Sequence, residues 1–365
     1  MLEKQPAGNP GIRRGETGQT VPPRPTCSRV TDRFAPHGHA IGVPPDAGPR
    51  YAPSLEGGRM IRVGVAGWDY DDWWGPVYPE PAPRGFDPLE WLSGWFQLVE
   101  VNSTFYRPAS AKAVRSWMSR VSGQPDFRFT AKVWRRFTHD RQPFTAEDVR
   151  AAREALDLLS GGGRLGAALL QFPWSFKRDE ASREWLRDVT AAFRGLPLVV
   201  EVRHASWNVP EMYASLAAQG IGFVNLDQPL FRGSLAPSAV ATAQVGYVRI
   251  HGRNARDWFR AGATRDERYD YLYTPDELRP WAERARQVAS SPGVTDVHVV
   301  TNNHWQGQEV VNALQLRSLL EGRKVEAPDT LWRAHGEALG PYALPVTSPS
   351  SSPPSGEPPG DGSPS

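Results

Sequence analysis

The sequence is poor in cysteine and lacks long apolar runs, and both shortages exclude classes of protein. Cys27 is the only cysteine among 365 residues, so the chain can form neither an internal disulfide nor a thiolate metal cluster. No stretch approaches the roughly 18 consecutive apolar residues of a membrane-spanning helix. The N-terminus also lacks the apolar segment of a secretion signal. These features indicate a cytoplasmic protein that does not enter the membrane.

A strong net charge is missing as well. The formal net charge is only +2, which is too small to favour extended contact with nucleic acid. Hydrophobic residues make up 39% of the chain, enough for a large core. We therefore expect a small-molecule substrate or ligand as the partner and no cofactor, while the oligomeric state stays open.

Both ends of the chain lack the periodicity of helices and strands. Residues 1–59 are rich in Pro, Gly and Arg, and residues 337–365 end in a Pro- and Ser-rich stretch. Such segments bury too little apolar surface to offset the entropy of ordering. We predict two disordered tails around one domain at residues 60–336, and unchanged thermal stability when both tails are removed. Met60 directly precedes the first strand-like run, so translation is also predicted to be able to begin there.

Between these ends, short β-branched runs alternate with amphipathic stretches. Helix starts are marked by Thr145 and by Thr274, whose Pro275 and Glu277 complete a capping box. Eight strand–helix units of this kind are typical of an α/β fold, the (β/α)8 barrel. An open doubly wound sheet is less favoured, because no G-x-G-x-x-G turn is present. The predicted strands are 61–66, 98–102, 127–133, 165–172, 198–203, 221–227, 245–251 and 296–302.

Polar residues alternate with apolar ones near the carboxyl ends of these strands. Val99 and Val101 share the apolar face of the second strand, so Glu100 and Asn102 should point into the barrel. Active sites of such barrels lie at this end, and we therefore predict a site there. The same rule places inward Glu100, Asn102, Lys132, Gln171, Glu201, Arg203, Asn225, Asp227, Arg249, His251 and Asn302.

The mixed charge of this set indicates an organic ligand rather than a metal ion, because interleaved cations oppose a divalent ion. Glu201 is the expected general acid or base, with Glu100 or His251 as its partner. The cations Lys132, Arg203 and Arg249 would hold negative charge. The remaining predicted substrate contacts are the polar groups of Asn102, Gln171, Asp227 and Asn302 and the indoles of Trp68 and Trp207, which can stack on sugars or bases.

Three other interpretations remain open. A metal-dependent hydrolase of phosphodiesters would use Glu100, Glu201, Asp227 and His251 as ligands. A non-catalytic ligand sensor or nucleic-acid-binding protein is also compatible with a polar mouth. Finally, the charges could form purely structural ion pairs, such as Glu201 with Arg203 or Glu100 with Arg249.

Seven sequence blocks occur in the order typical of one family. They are GVAGWDYDDWWGPVYP, VEVNSTFYRPAS, FRFTAKVWRRFTHD, LLQFPWSF, VEVRHASW, YVRIHGR and VVTNNHWQGQEVVNA. Together they resemble the YecE-like family, also called domain of unknown function 72, over roughly residues 61–320. The resemblance implies a TIM-barrel fold but no established activity, so it assigns no catalytic residues. Ala66 departs from the family pattern, which often has Ser at this position.

Overall fold

The computed structural model describes residues 54–55 and 59–346 of the chain, with side chains from residue 59 onward. Most of the two predicted tails therefore lies outside the described residues. The strands that build the main sheet are β1 (Arg59–Ala66), β2 (Leu98–Val101), β3 (Arg128–Lys132), β4 (Leu165–Gln171), β5 (Leu198–Glu201), β6 (Gly222–Asp227), β7 (Val245–Ile250) and β8 (Asp296–Thr301).

These eight strands form a closed parallel barrel. Each strand pairs with the next one along the chain, and β1 also pairs with β8, with Val63 opposite Val299. The short strand Ser54–Leu55 adds an antiparallel pairing to β1. The predicted α/β barrel is confirmed, with every strand boundary within two residues of its expected position.

Helices connect most of the strands and cover the outside of the barrel. Helices start at Thr145 and Thr274 as expected. The predicted capping box at Thr274 is confirmed, and Thr145 forms one as well, with Asp148. Val99 and Val101 are fully buried beneath this layer, which places the core between strands and helices. The helices are α1 (Pro88–Ser93), α2 (Ser103–Tyr106), α3 (Ala111–Arg120), α4 (Ala146–Gly161), α5 (Glu180–Ala192), α6 (Pro210–Ala218), α7 (Arg265–Tyr269), α8 (Pro275–Ser290), α9 (Gln308–Glu321) and α10 (Asp329–Leu339).

The connection between β6 and β7 departs from the regular pattern. Residues 228–244 are described throughout and contain no helix. In place of helix packing, the side chain of Asn225 forms hydrogen bonds to this loop. It donates to the Val240 carbonyl at 2.9 Å and accepts from the Val240 N–H at 2.7 Å. The loop is thereby fixed against the outer face of β6.

Regular structure continues beyond the predicted domain boundary at residue 336, which falls inside α10. The strands β9 (Val325–Pro328) and β10 (Ala343–Val346) pair in parallel on either side of this helix. Leu339 and Ala343 are fully buried. Residues 337–346 therefore contribute to the packed structure, because two of their apolar side chains are buried and their strand is paired.

None of the helices in the described part of the chain combines the length and apolar character that crossing a lipid bilayer requires.

Candidate active site at the carboxyl end of the barrel

Strand register determines which side chains enter the barrel. Glu100 lies beside Ala66 on one neighbouring strand and Thr130 on the other, and Gln171 lies beside Glu201. Partners in a parallel sheet point to the same face, so these side chains share the interior. The structure brings together most of the predicted site residues, namely Glu100, Lys132, Gln171, Glu201, Arg203, Arg249, His251 and Asn302.

The predicted inward orientation of Asn225 and Asp227 is wrong. In the β6–β7 register Leu226 lies beside Arg249, whereas Asp227 lies beside the outward-facing Ile250. Asp227 is 1% exposed and receives two bonds from Arg253, at 2.8 and 3.2 Å. Burial raises its pKa, and the Arg253 bonds offset this only in part. This strand presents its polar residues to the outside of the barrel, opposite to the expected orientation, because their polar partners lie there.

Arg249 is the centre of the cluster and is fully buried. Its Nε and Nη2 form a fork with Glu100, at 3.0 and 2.6 Å. Its Nη1 donates to Glu201 at 3.0 Å and to Gln171 at 3.1 Å. Burial alone would lower the Arg249 pKa, but the two carboxylates raise it, so the guanidinium stays charged.

Both carboxylate oxygens of Glu201 also have partners. Its Oε1 accepts from the Arg203 Nε at 3.0 Å and contacts the His251 Nε2 at 3.1 Å, while Oε2 binds Arg249. Burial by itself would raise the Glu201 pKa. The groups around it have the larger effect and hold the pKa well below its usual range. Glu201 is therefore a firmly held anion, and a weak proton acceptor near neutral pH.

The neighbours of His251 determine its tautomer. Asn302 accepts from Arg249 through Oδ1 at 3.0 Å, so its Nδ2 faces the His251 Nδ1 at 3.1 Å. An amide nitrogen can only donate, hence Nδ1 is the acceptor and Nε2–H donates to Glu201. Burial and the adjacent Arg203 lower the His251 pKa well below its ordinary value. The ring is therefore neutral, and both of its nitrogens are occupied.

Lys132 differs from the rest of the cluster. Its Nζ lies 3.9 Å from the Glu100 Oε1 and makes no hydrogen bond to the residues that the structure describes. About 14% of the side chain is exposed, and the Phe105 ring lies 5.6 Å from the amine. Burial, together with Arg249, lowers the Lys132 pKa to about 7. Charged and neutral amine are thus present in comparable amounts at neutral pH.

Several polar atoms at the mouth have no bond within residues 59–346. Asn102 donates to the Ala66 carbonyl at 3.0 Å, but its buried Oδ1 has no partner there. Gln171 uses only its oxygen. Arg203 uses Nε and Nη2, both toward Glu201, but not Nη1. The Arg203 guanidinium lies 5.4 Å from the Trp258 ring centre. These free atoms are the groups that can bind a ligand.

The two indoles predicted to contact substrate have packing roles. Trp207 is 1% exposed, stacks on Phe176 and donates its N–H to the Phe176 carbonyl at 2.6 Å. Trp207 therefore presents no surface to a ligand at the mouth, and that prediction is wrong. Trp68 is half-buried, with its ring edge-on to Trp117 at 5.8 Å.

The sequence reasoning missed two other residues of the site, Tyr247 and Trp258. Tyr247 donates to Glu100 at 3.0 Å beneath the Arg249 fork, and the period-two pattern with Arg249 and His251 could have identified it. Trp258 comes from an irregular loop, for which no sequence signal exists. His304 stacks on Tyr70 with ring centres 4.7 Å apart. Burial and Arg265 lower the His304 pKa to about 4, so its ring is neutral.

Residues 59–346 contain no group of three or more His, Cys, Asp or Glu side chains suited to hold a metal ion. Asp227 lies outside the barrel, and each acidic oxygen of Glu100 and Glu201 faces a cation. The ligand set suggested for a metal-dependent hydrolase is therefore not assembled in this part of the chain.

Comparison with known proteins places the chain in a family. The family model described as "Protein of unknown function DUF72" matches residues 62–334. A DUF72 family protein from Thermotoga maritima is 34% identical, with a TM-score of 0.62 over 72% of this chain and 99% of that chain. A DUF72 family protein from Enterococcus faecalis, 24% identical over 72% of this chain and 96% of that chain, shares the fold with a TM-score of 0.61. None of the curated proteins that were compared matches. The chain belongs to the DUF72 family of TIM-barrel proteins.

Proposed function

We propose that the chain is an enzyme that uses acid–base chemistry on a small polar or anionic substrate at the carboxyl-end mouth of the barrel, as a hydrolase or a lyase. One observation carries this proposal. The half-buried amine of Lys132 makes no hydrogen bond within residues 59–346, and it lies beside an ion cluster whose other members already have partners. A titrating group held against a fixed electrostatic frame is typical of catalytic sites.

The contacts support a division of roles within the site. Arg249, Glu100, Glu201 and His251 form the rigid frame, because their polar atoms are occupied by one another. Lys132 is the group suited to accept and return a proton near neutral pH. Glu201 was expected to be the general acid or base. Both of its oxygens already accept hydrogen bonds from arginines, which favours a supporting role in which it holds these cations in place.

The charge balance favours an anionic substrate. The three cations Lys132, Arg203 and Arg249 face the two carboxylates of Glu100 and Glu201, so the site carries one excess positive charge when Lys132 is protonated. Buried unpaired charge is unfavourable. Without ligand the site can lose this charge by deprotonation of Lys132, whereas a bound monoanion would compensate it directly.

A thermal-shift experiment with glycolate and its neutral counterpart glycolamide tests the binding part. We expect glycolate, but not glycolamide, to raise the Tm of the full-length protein. The rise should be larger at pH 6 than at pH 9, because Lys132 loses its proton as the pH passes about 7. Arg203→Gln should abolish the shift. Arg150→Gln, which alters a side chain that is 70% exposed, should retain it.

Proton transfer is tested by proton NMR in D2O on a panel of hydroxy acids and keto acids. Enzyme-dependent exchange of a carbon-bound proton that disappears in Lys132→Met would support the proposal. Binding without exchange or turnover of any panel member would favour the non-catalytic sensor instead. A metal mass retained in native mass spectrometry, together with chelator-sensitive turnover, would favour the metal-dependent hydrolase.

A further inference from the structure

Lys132 is placed for covalent chemistry as well as for proton transfer. It is at the end of β3, at the mouth, and its amine makes no hydrogen bond to the described residues. The other lysines of the described chain, Lys112, Lys177 and Lys324, are exposed on the outside of the domain. A neutral lysine amine is a nucleophile, whereas a protonated one is not.

Burial is the main cause that opposes protonation of the amine, and charges from several elements act in both directions around it. Arg249 on β7 and Arg203 after β5 repel a charged amine, while Glu100 on β2 and Glu201 on β5 attract it. The attraction is weakened because Arg249 already engages both oxygens of Glu100. The rim histidines His139 and His304 add no charge near neutral pH, because burial and nearby cations lower both pKa values to about 4.

We propose that the Lys132 amine forms an imine with a small carbonyl compound that carries one anionic group, such as a 2-keto acid. This inference rests on the proposed function and specifies its substrate class. Arg203 would hold the anionic group through its free Nη1, while Gln171 offers its amide N–H groups beside it. A protonated imine carries one positive charge and the substrate one negative charge, so the buried charge balance is preserved.

The imine step balances without any further reactant. The Lys132 nitrogen lone pair attacks the carbonyl carbon, and the C–O π electrons move to oxygen to give a carbinolamine. The carbonyl oxygen then leaves as water with one amine hydrogen and one proton from solvent, and the other amine hydrogen stays on the nitrogen of the new, protonated C=N bond. Nothing is oxidised or reduced in this step.

The experiment is reductive trapping on the full-length protein at pH 7 with pyruvate and cyanoborohydride, which reduces the imine to a stable amine. Peptide mass spectrometry then compares the labelling rate of Lys132 with those of Lys112, Lys177 and Lys324 in the same sample. We expect Lys132 to be labelled at least tenfold faster. Acetone, which has a methyl group in place of the carboxylate, should label Lys132 at least tenfold more slowly than pyruvate.

Arg203→Gln should remove the preference of Lys132 for pyruvate over acetone. In this variant the exposed lysines are an internal reference, because their labelling does not depend on folding at the site. Equal labelling of Lys132 and the exposed lysines would overturn the inference. Equal labelling of Lys132 by pyruvate and acetone would overturn the anionic substrate class.

A parallel reaction with acetic anhydride distinguishes failure of the imine inference from failure of the proposed function. If the anhydride acylates Lys132 selectively at pH 7 but pyruvate does not label it, the imine is wrong and the proton-accepting role stands. If the anhydride reaction is also unselective and glycolate gives no thermal shift, both proposals fall.

Discussion

Arg249 is the residue on which the electrostatics of the barrel interior depend. It is fully buried and bonds to Glu100 and to Glu201, which are fully buried as well. Replacement of both partners of such a pair by apolar groups can be neutral, but removal of one partner leaves charge buried without compensation. The interior therefore tolerates loss of this guanidinium far less well than it would tolerate loss of a surface cation.

We expect Arg249→Met to lower the free energy of unfolding by about 3–5 kcal/mol, the usual cost of breaking a buried pair from one side. Chemical denaturation measures this change. Arg150→Met is the matched control, because Arg150 pairs with Glu147 at side-chain exposures of 70% and 79%. It should change stability by less than about 0.5 kcal/mol. Similar losses in the two variants would mean that the buried cluster is not electrostatically coupled.

At the scale of elements, the loop between β6 and β7 replaces a helix, and Asn225 anchors it. The Asn225 side chain bonds Val240 twice and also contacts Ser238 and Tyr247, at 2.8 and 3.2 Å. A single amide can do this because it offers both donors and acceptors. Loop and strand are thus joined by side-chain bonds where the other units use apolar helix packing.

Asn225→Ala should therefore destabilise the protein by about 1–3 kcal/mol, because it leaves the half-buried N–H and carbonyl of Val240 without their side-chain partner. Asn208→Ala is the control, since Asn208 is exposed and its one side-chain bond within the described residues, to Tyr213, lies at the surface. Its cost should stay below about 0.5 kcal/mol. The glycolate-induced shift of Asn225→Ala should equal that of the wild type. A lost shift would mean that this strand face contributes to the mouth after all.

At the scale of the whole molecule, the chain after α9 closes the domain. β9 and β10 pair with Val325 opposite Ala343, and the Gln315 amide of α9 donates to the Ala338 carbonyl at 2.9 Å. Leu339 is fully buried between these elements. The functional boundary of the domain is therefore expected near residue 346 rather than at 336.

Two C-terminal truncations test this boundary. A chain ending at residue 346 should keep the Tm of the full-length protein. A chain ending at 336 should lose about 3–12 °C, because burial of one Leu stabilises by about 1.5–3 kcal/mol and each kcal/mol corresponds to about 2–4 °C. Differential scanning calorimetry measures both. Equal values for the two truncations would show that β10 contributes nothing to the fold, and a drop already at 346 would show that the final segment docks.

Much of this protein is determined locally by its sequence. Alternation of β-branched runs with capped amphipathic stretches was sufficient to predict the eight-stranded barrel, because strand and helix periods depend on neighbouring residues. The same alternation placed Glu100, Glu201, Arg249 and His251 correctly inside, since their strand neighbours are buried valines and isoleucine. Seven ordered motifs were enough for the resemblance to the family.

Only the tertiary structure decided the rest. The V-N-L-D pattern of β6 fits either orientation. The one with Asn225 and Asp227 outward is selected by Val240 and Arg253, which lie 15 and 26 residues further along the chain than their partners. Trp207 follows a strand just as a ligand-stacking residue would, but Phe176 holds it in the core. Proton positions on His251 and Lys132 depend on charges from several strands, and such long-range fields are set by three-dimensional distance rather than by sequence spacing.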